Sequence, residues 1–194
     1  MIIVLLGASG SGKSTIENAL VEKHNFNKII SVTTRSIRST EINGRDYYFV
    51  SNSEFEEMLD AKQFAEYEEY SQNRFYGTLK TDYNAEETSE DKVVVLTPNG
   101  LRQLKRNCPD EKYFSVLVTA SLGTRIKRYI DRCGVNEFNF DDKNEIAARV
   151  ERDFGAFLGV EHEVDLVVNN DEGADISTLS QNIIKQINER MSKK

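Results

Sequence analysis

Hydrophobic residues in this chain follow two rhythms. Short apolar runs at Ile2 to Leu6, Lys92 to Leu96, Tyr113 to Ala120 and Val164 to Val168 are rich in Val, Ile and Leu. Such runs predict strands buried on both faces. Between them, apolar residues recur every three or four positions. Ile16, Ala19 and Leu20 stripe a helix over Lys13 to Lys23, and Leu122, Ile126 and Tyr129/Ile130 stripe another over Thr119 to Arg132. Ile146, Val150, Phe154 and Phe157 mark a third, opening near Asp142, while Ile176, Leu179, Ile183, Ile184 and Ile187 mark a docking helix over Asp175 to Arg190. All four stripes read as packing faces. Strands alternating with helices imply an α/β fold with a central parallel sheet covered on both sides.

Residues 30–80 break this rhythm. Asp46 to Val50 and Phe64 to Tyr70 read as strands. Ser53-Glu54-Phe55-Glu56 reads as a capping box that opens a short helix carrying Phe55, Met58 and Leu59. A small mixed α+β lobe inserted into the parallel core is expected. The division is therefore one domain over 1–194, with core segments 1–30, 80–120 and 160–194, the lobe at 31–79, and helices at 121–159.

Composition narrows the class. A chain of 194 residues suits one domain with small lobes, and 39% hydrophobic with 29% charged residues is ordinary for a soluble protein. The longest apolar run is far too short for a membrane span. Cys108 and Cys133 lack metal or redox spacing, so a reducing cytoplasm is expected. His24 and His162 read as surface residues. The net charge of −7 argues against a nucleic-acid face. No apolar stripe stands apart from the packing stripes, so a homo-oligomer is possible but has no readable interface.

The chemistry begins at once. Gly7-Ala8-Ser9-Gly10-Ser11-Gly12-Lys13-Ser14 matches G-x-x-x-x-G-K-[ST] between a strand pattern and a helix pattern. That order aims backbone N–H groups and the positive end of a helix dipole at a bound phosphate. Ala8 to Thr15 form the expected triphosphate cradle, with Lys13 reaching the β- and γ-phosphates and the Ser14 hydroxyl on Mg²⁺. Arginines gather at 35 and 38 and again at 125, 128, 132, 149 and 152.

Ser31-Val32-Thr33-Thr34-Arg35-Ser36-Ile37-Arg38, then Glu41 to Tyr47, Phe64-Ala65-Glu66 and Phe75-Tyr76-Gly77-Thr78, resembles the acceptor site of the guanylate kinase family. The resemblance runs from the glycine-rich loop to Val168-Asn169-Asn170-Asp171. It implies a P-loop three-layer fold, a monophosphate-binding lobe and a helical lid. It also implies Mg²⁺-dependent transfer of the ATP γ-phosphoryl group to GMP or dGMP.

On this basis Arg35, Arg38, Tyr47 and Tyr76 hold the acceptor phosphate, and Glu66, Ser31, Thr78 and Thr97 read guanine. Paired guanidinium forks suit a phosphate, and one ionised carboxylate can accept from both guanine N1 and N2. Arg128-Tyr129-Ile130-Asp131-Arg132 and Ala147-Ala148-Arg149 resemble the lid, making Arg128, Arg132 and Arg149 catalytic with Lys13. Arg125 and Arg152 match no family position and read as surface charges.

The pattern departs from the family in two places. Anchored on Gly100, Val95 and Thr97 stand where the family carries two aspartates. Cys133 replaces the family's usual glycine after Arg132, and Gly134 to Phe140 is longer than its acidic turn. Two readings stay open: an active kinase whose Mg²⁺ relies on Ser14, water and phosphates, with GMP, dGMP or a modified guanine nucleotide as acceptor; or a guanylate-kinase-like binding module without catalysis.

Overall fold

A computed structural model describes residues 1–71, 73–83, 90–133 and 140–192. Five strands form the larger sheet: β1 (Ile2–Leu6), β2 (Asn27–Lys28), β7 (Lys92–Val95), β8 (Tyr113–Thr119) and β9 (Leu166–Asn169). They lie in the order β2-β7-β1-β8-β9, all parallel. Strand β1 is central and wholly buried, as its unbroken apolar run requires.

Its alternate residues feed two cores. Ile2, Val4 and Leu6 pack with Val94, Leu101, Leu104 and Leu117. Ile3 and Leu5 pack with Ile16, Leu20, Val118, Ile183 and Ile187. Helices α1 (Lys13–His24) and α6 (Ile176–Met191) therefore cover one face, and α3 (Pro98–Asn107) covers the other. His24 is not a free surface residue; its ring is 3.2 Å from the Ser180 hydroxyl of α6.

A second sheet holds β3 (Val32–Thr33), β4 (Tyr48–Phe49), β5 (Phe64–Ser71) and β6 (Arg74–Leu79), in the order β4-β3-β6-β5. Helix α2 (Asn52–Asp60) packs on it through Phe55, whose ring stacks on Phe64 and Phe75 at 4.4 and 5.4 Å. Ser51, not Ser53, is the cap: its hydroxyl accepts from the Glu54 N–H while the Glu54 carboxylate accepts from the Ser51 N–H. The reason is upstream. Val50 is still tied to Thr33 at 3.0 Å, so Ser51 is the first residue free to turn into a helix.

The free edge of β5 is covered by α3 rather than left open. Gln103 Nε2 donates to the Tyr67 carbonyl at 2.9 Å, and Asn107 Nδ2 donates to that of Ala65 at 2.7 Å. These bonds tie the small sheet to the larger one.

Helices α4 (Leu122–Cys133) and α5 (Phe140–Phe157) follow β8, α4 opening later and α5 earlier than the periodicity predicts. Their stripes are only partly packing faces. Leu122 is 48% and Phe154 75% exposed, because the two helices turn these residues toward each other across an open apolar cleft rather than onto the sheet. The expected tip over 134–139 lies outside the described residues. Among the described residues, no helix is long and apolar enough to cross a membrane.

Candidate active site

The glycine-rich loop links β1 to α1 beside the end of β9. Gly12 caps α1 with φ 95°, and a Cβ there would lie 2.1 Å from Asn170 Nδ2. Only glycine meets both conditions. Asn170 is buried, and its Nδ2 donates to the Ser11 carbonyl at 2.8 Å, holding the loop from beneath. Lys13 Nζ folds back onto the carbonyls of Gly7 and Ala8 at 2.6 and 3.2 Å. Ser14 and Thr15 stand exposed on the first turn of α1, where no acidic residue competes for the helix N-terminus.

Helices α4 and α5 meet this loop directly. Arg128 donates to the carbonyls of Gly10, Ser11 and Asn170 at 2.9–3.2 Å. Arg125 is no surface charge. It donates to the Ser9 carbonyl at 2.8 Å and pairs with Asp153 of α5 at 2.6 Å. The same Asp153 oxygen accepts from the Ser9 N–H at 2.7 Å, so a buried carboxylate takes up a donor of the phosphate loop. Nor is Arg152 a surface charge. Its guanidinium lies 4.1 Å over the Tyr70 ring, and its Nη1 is buried without a partner among the described groups. Arg149 lies over Tyr129. Arg132 belongs to α4, and its side chain lies outside the described residues.

The small sheet supplies the rest. Arg35 makes a two-pronged bond to Glu41 at 2.8 and 3.0 Å and sits over the rings of Tyr47 and Phe49. Burial pushes its guanidinium down, but the bonds to Glu41 and Tyr76 more than restore the charge. Arg38 is exposed, 3.7 Å from the same Glu41. Burial pushes the Tyr47 phenol up, which keeps its proton available for donation. Tyr47 meets Tyr76 edge-on at 5.9 Å, Tyr76 meets Tyr70 at 5.8 Å, and the Tyr70 hydroxyl is 3.4 Å from that of Ser9. An aromatic run therefore joins the Arg35 pocket to the phosphate loop.

Farther along β5, Glu66 is 5% exposed and accepts from the Thr78 hydroxyl at 2.8 Å, with Tyr83 on the other side of that hydroxyl. Burial, with Glu68 adding to it, lifts the Glu66 carboxyl to about 7 against the pull of Thr78. Ser31 precedes β3 and passes its carbonyl to the Tyr48 N–H. Thr97 has a task the sequence did not announce: it caps α3, accepting from the Gly100 N–H at 3.0 Å, and donates to Glu68 at 2.5 Å. An acid thus stands beside position 97 after all, delivered from β5.

A family model described as guanylate kinase matches residues 1–187. The guanylate kinase of Enterococcus faecalis is 36% identical over 175 residues, covering 89% of this chain and 81% of that one. The chain belongs to the guanylate kinase family. The guanylate kinase of Porphyromonas gingivalis is 31% identical over 196 residues, 99% of this chain and 98% of its own. In fold, the crystal structure of guanylate kinase from Anaplasma phagocytophilum superposes with a TM-score of 0.72 at 22% identity, over 98% of this chain and 85% of that one.

Within this guanylate kinase fold, Mg²⁺ finds little protein to bind. Val95 ends β7 half-buried among apolar side chains, and no group of three potential ligands exists among the described residues. The hard oxygen of exposed Ser14 fits a metal that keeps its waters and arrives on nucleotide phosphates. Sequence reasoning missed Glu17 as well. This carboxylate is 3% exposed on α1, raised by burial and pulled back by Lys28 at 3.1 Å. Its cue was an acid beside the apolar stripe.

Proposed function

We propose that this chain transfers the γ-phosphoryl group of ATP to GMP or dGMP, releasing ADP and the nucleoside diphosphate. The observation that supports the reading is the continuous run from Arg35 through Tyr47, Tyr76 and Tyr70 to Ser9, which links the proposed acceptor-phosphate residues to the glycine-rich loop. In the transfer, an acceptor phosphate oxygen bonds to the γ-phosphorus as the bond to the β-phosphate oxygen breaks. The acceptor is already an oxygen nucleophile, so positioning and charge stabilisation suffice.

The loop N–H groups and Lys13 hold the donor, while Arg35, Arg38, Tyr47 and Tyr76 hold the acceptor phosphate. Glu66, with Ser31, Thr78 and Thr97, reads the base. Arg128, Arg132 and Arg149 supply lid charge, and Arg152, stacked on Tyr70 with its Nη1 unpartnered among the described groups, joins them. The Ser14 hydroxyl would hold Mg²⁺, which would supply charge neutralisation at the nucleotide phosphates. The intact Lys13 and Ser14 favour catalysis over a binding module. A reducing cytoplasm suits the free Cys108 thiol.

A coupled assay with ATP and Mg²⁺ against GMP, dGMP, AMP, dTMP and UMP tests this. Turnover is expected with GMP and dGMP. Silence with every acceptor, despite measurable GMP binding, would falsify the kinase reading and leave a nucleotide-binding module.

A further inference from the structure

Glu66 and Glu68, two apart in strand β5, share one face, and Tyr70 follows at an irregularity in the pairing between Glu69 and Ser71. Their partners show where that face looks. Glu66 bonds to Thr78 in the base pocket, and Tyr70 reaches Ser9 in the phosphate loop. Glu68 lies between them, and its Oε2 accepts from Thr97 Oγ1 at 2.5 Å. Helix α3 lies along β5 through Gln103 on Tyr67 and Asn107 on Ala65, and this alignment brings its N-terminal Thr97 to Glu68.

The same helix terminus touches Glu66. A Cβ on Gly100 would lie 2.8 Å from Glu66 Oε2 and 3.4 Å from Thr97 Oγ1. Glycine there leaves the Glu66 carboxylate close against the α3 backbone and close to the Thr97 hydroxyl. Glu66, Thr97 and Glu68 thus form one adjoining group of oxygens, in which Thr97 spends its single proton on Glu68.

Guanine offers three protons along this edge: one on N1 and two on the N2 amino group. One carboxylate can accept the N1 proton and one amino proton, which leaves the second amino proton without an acceptor in a buried site. That is costly. We propose that Glu68 is a second specificity carboxylate of the acceptor pocket, taking the outer N2 proton of guanine with its position fixed by Thr97. The proposal rests on the guanine-acceptor reading and deepens it. Its consequence is selective: Glu68 should matter for a base with the exocyclic amino group and not for hypoxanthine, which lacks it.

Calorimetric affinities for GMP and IMP, measured without ATP on wild-type protein, Glu68→Ala and Glu68→Gln, decide the matter. In the wild type GMP should bind about tenfold or more tightly than IMP, the worth of a hydrogen bond to a charged acceptor. Glu68→Ala should weaken GMP by about tenfold, the share of the outer N2 proton, and leave IMP within about twofold, with the remaining preference carried by Glu66. Glu68→Gln keeps the shape and an acceptor for Thr97 without the charge, and should fall between. Equal weakening of both nucleotides, or no change in either, would overturn the assignment and leave Glu68 a structural partner of the α3 cap. Should alanine prevent folding, the glutamine variant alone carries the comparison. Failure of the parent reading has a different signature: no guanine nucleotide is turned over in the coupled assay, while the GMP-to-IMP affinity ratio still reports on Glu68.

Discussion

Glu66 shows how one buried side chain couples fold and ligand in opposite senses. Its carboxyl sits near 7 in the folded chain against an ordinary 4.5, chiefly because burial penalises the charge. Between those values the folded protein holds a proton that the unfolded chain has released. Stability therefore falls as pH rises from about 4.5 to about 7 and is level beyond, a total on the order of 3 kcal/mol. Glu66→Gln should flatten this slope in urea unfolding at about pH 5 and about pH 8. Guanine needs the ionised form, so GMP affinity should rise through about pH 7 in the wild type and lose that dependence in the variant. The residue itself was legible as a candidate base reader. Its neighbour Glu68 was not, because a glutamate on a strand is informative only once Thr97 of a different element is known to face it.

Among elements, the lid helices carry the sharpest expectation. Asp153 binds Arg125 and the Ser9 N–H at once, and both its side chain and that of Arg125 are largely buried. Asp153→Ala strands a guanidinium and should destabilise the protein by about 3 kcal/mol or more. Ser51→Ala removes only a surface helix cap and should cost about 1 kcal/mol. Paired urea melts give the contrast, and equal costs would mean that the lid is not braced on the phosphate loop. Arg152→Gln should lower kcat by about a hundredfold while ATP and GMP affinities stay within about threefold, as for a charge used mainly in the transition state.

The capping motif shows the limit of local reading. Two serine-to-glutamate spacings overlap near position 52, and the β3 bond to Val50 selects the first. The α4 and α5 stripes were legible as apolar, but not as open. Burial depends on what a helix packs against, and these two face each other.

At the scale of the whole molecule, two sheets carry the two proposed nucleotide sites, and side chains of α3, α4 and α5 tie the parts together. A ligand that binds only the folded chain stabilises it by mass action, by about 2.7 kcal/mol at one hundred times its Kd. GMP at such an excess should raise the melting temperature by several degrees, and AMP at the same concentration should leave it unchanged. An equal shift with both would remove the guanine-reading role from this pocket.

The strand runs, the helical stripes and the glycine-rich loop are local patterns, so the parallel core and the loop's place between β1 and α1 could be read in chain order. Each needs only the period of the backbone, or eight consecutive residues. The carboxylate beside Thr97, the grip of Asp153 on Ser9 and the stacking of Arg152 on Tyr70 are different in kind. They join residues 29, 144 and 82 positions apart, and each exists only because α3 lies along β5 and the lid helices reach the loop. Val95 and Thr97 looked like a site that had lost its acids; packing returned one of them from another strand.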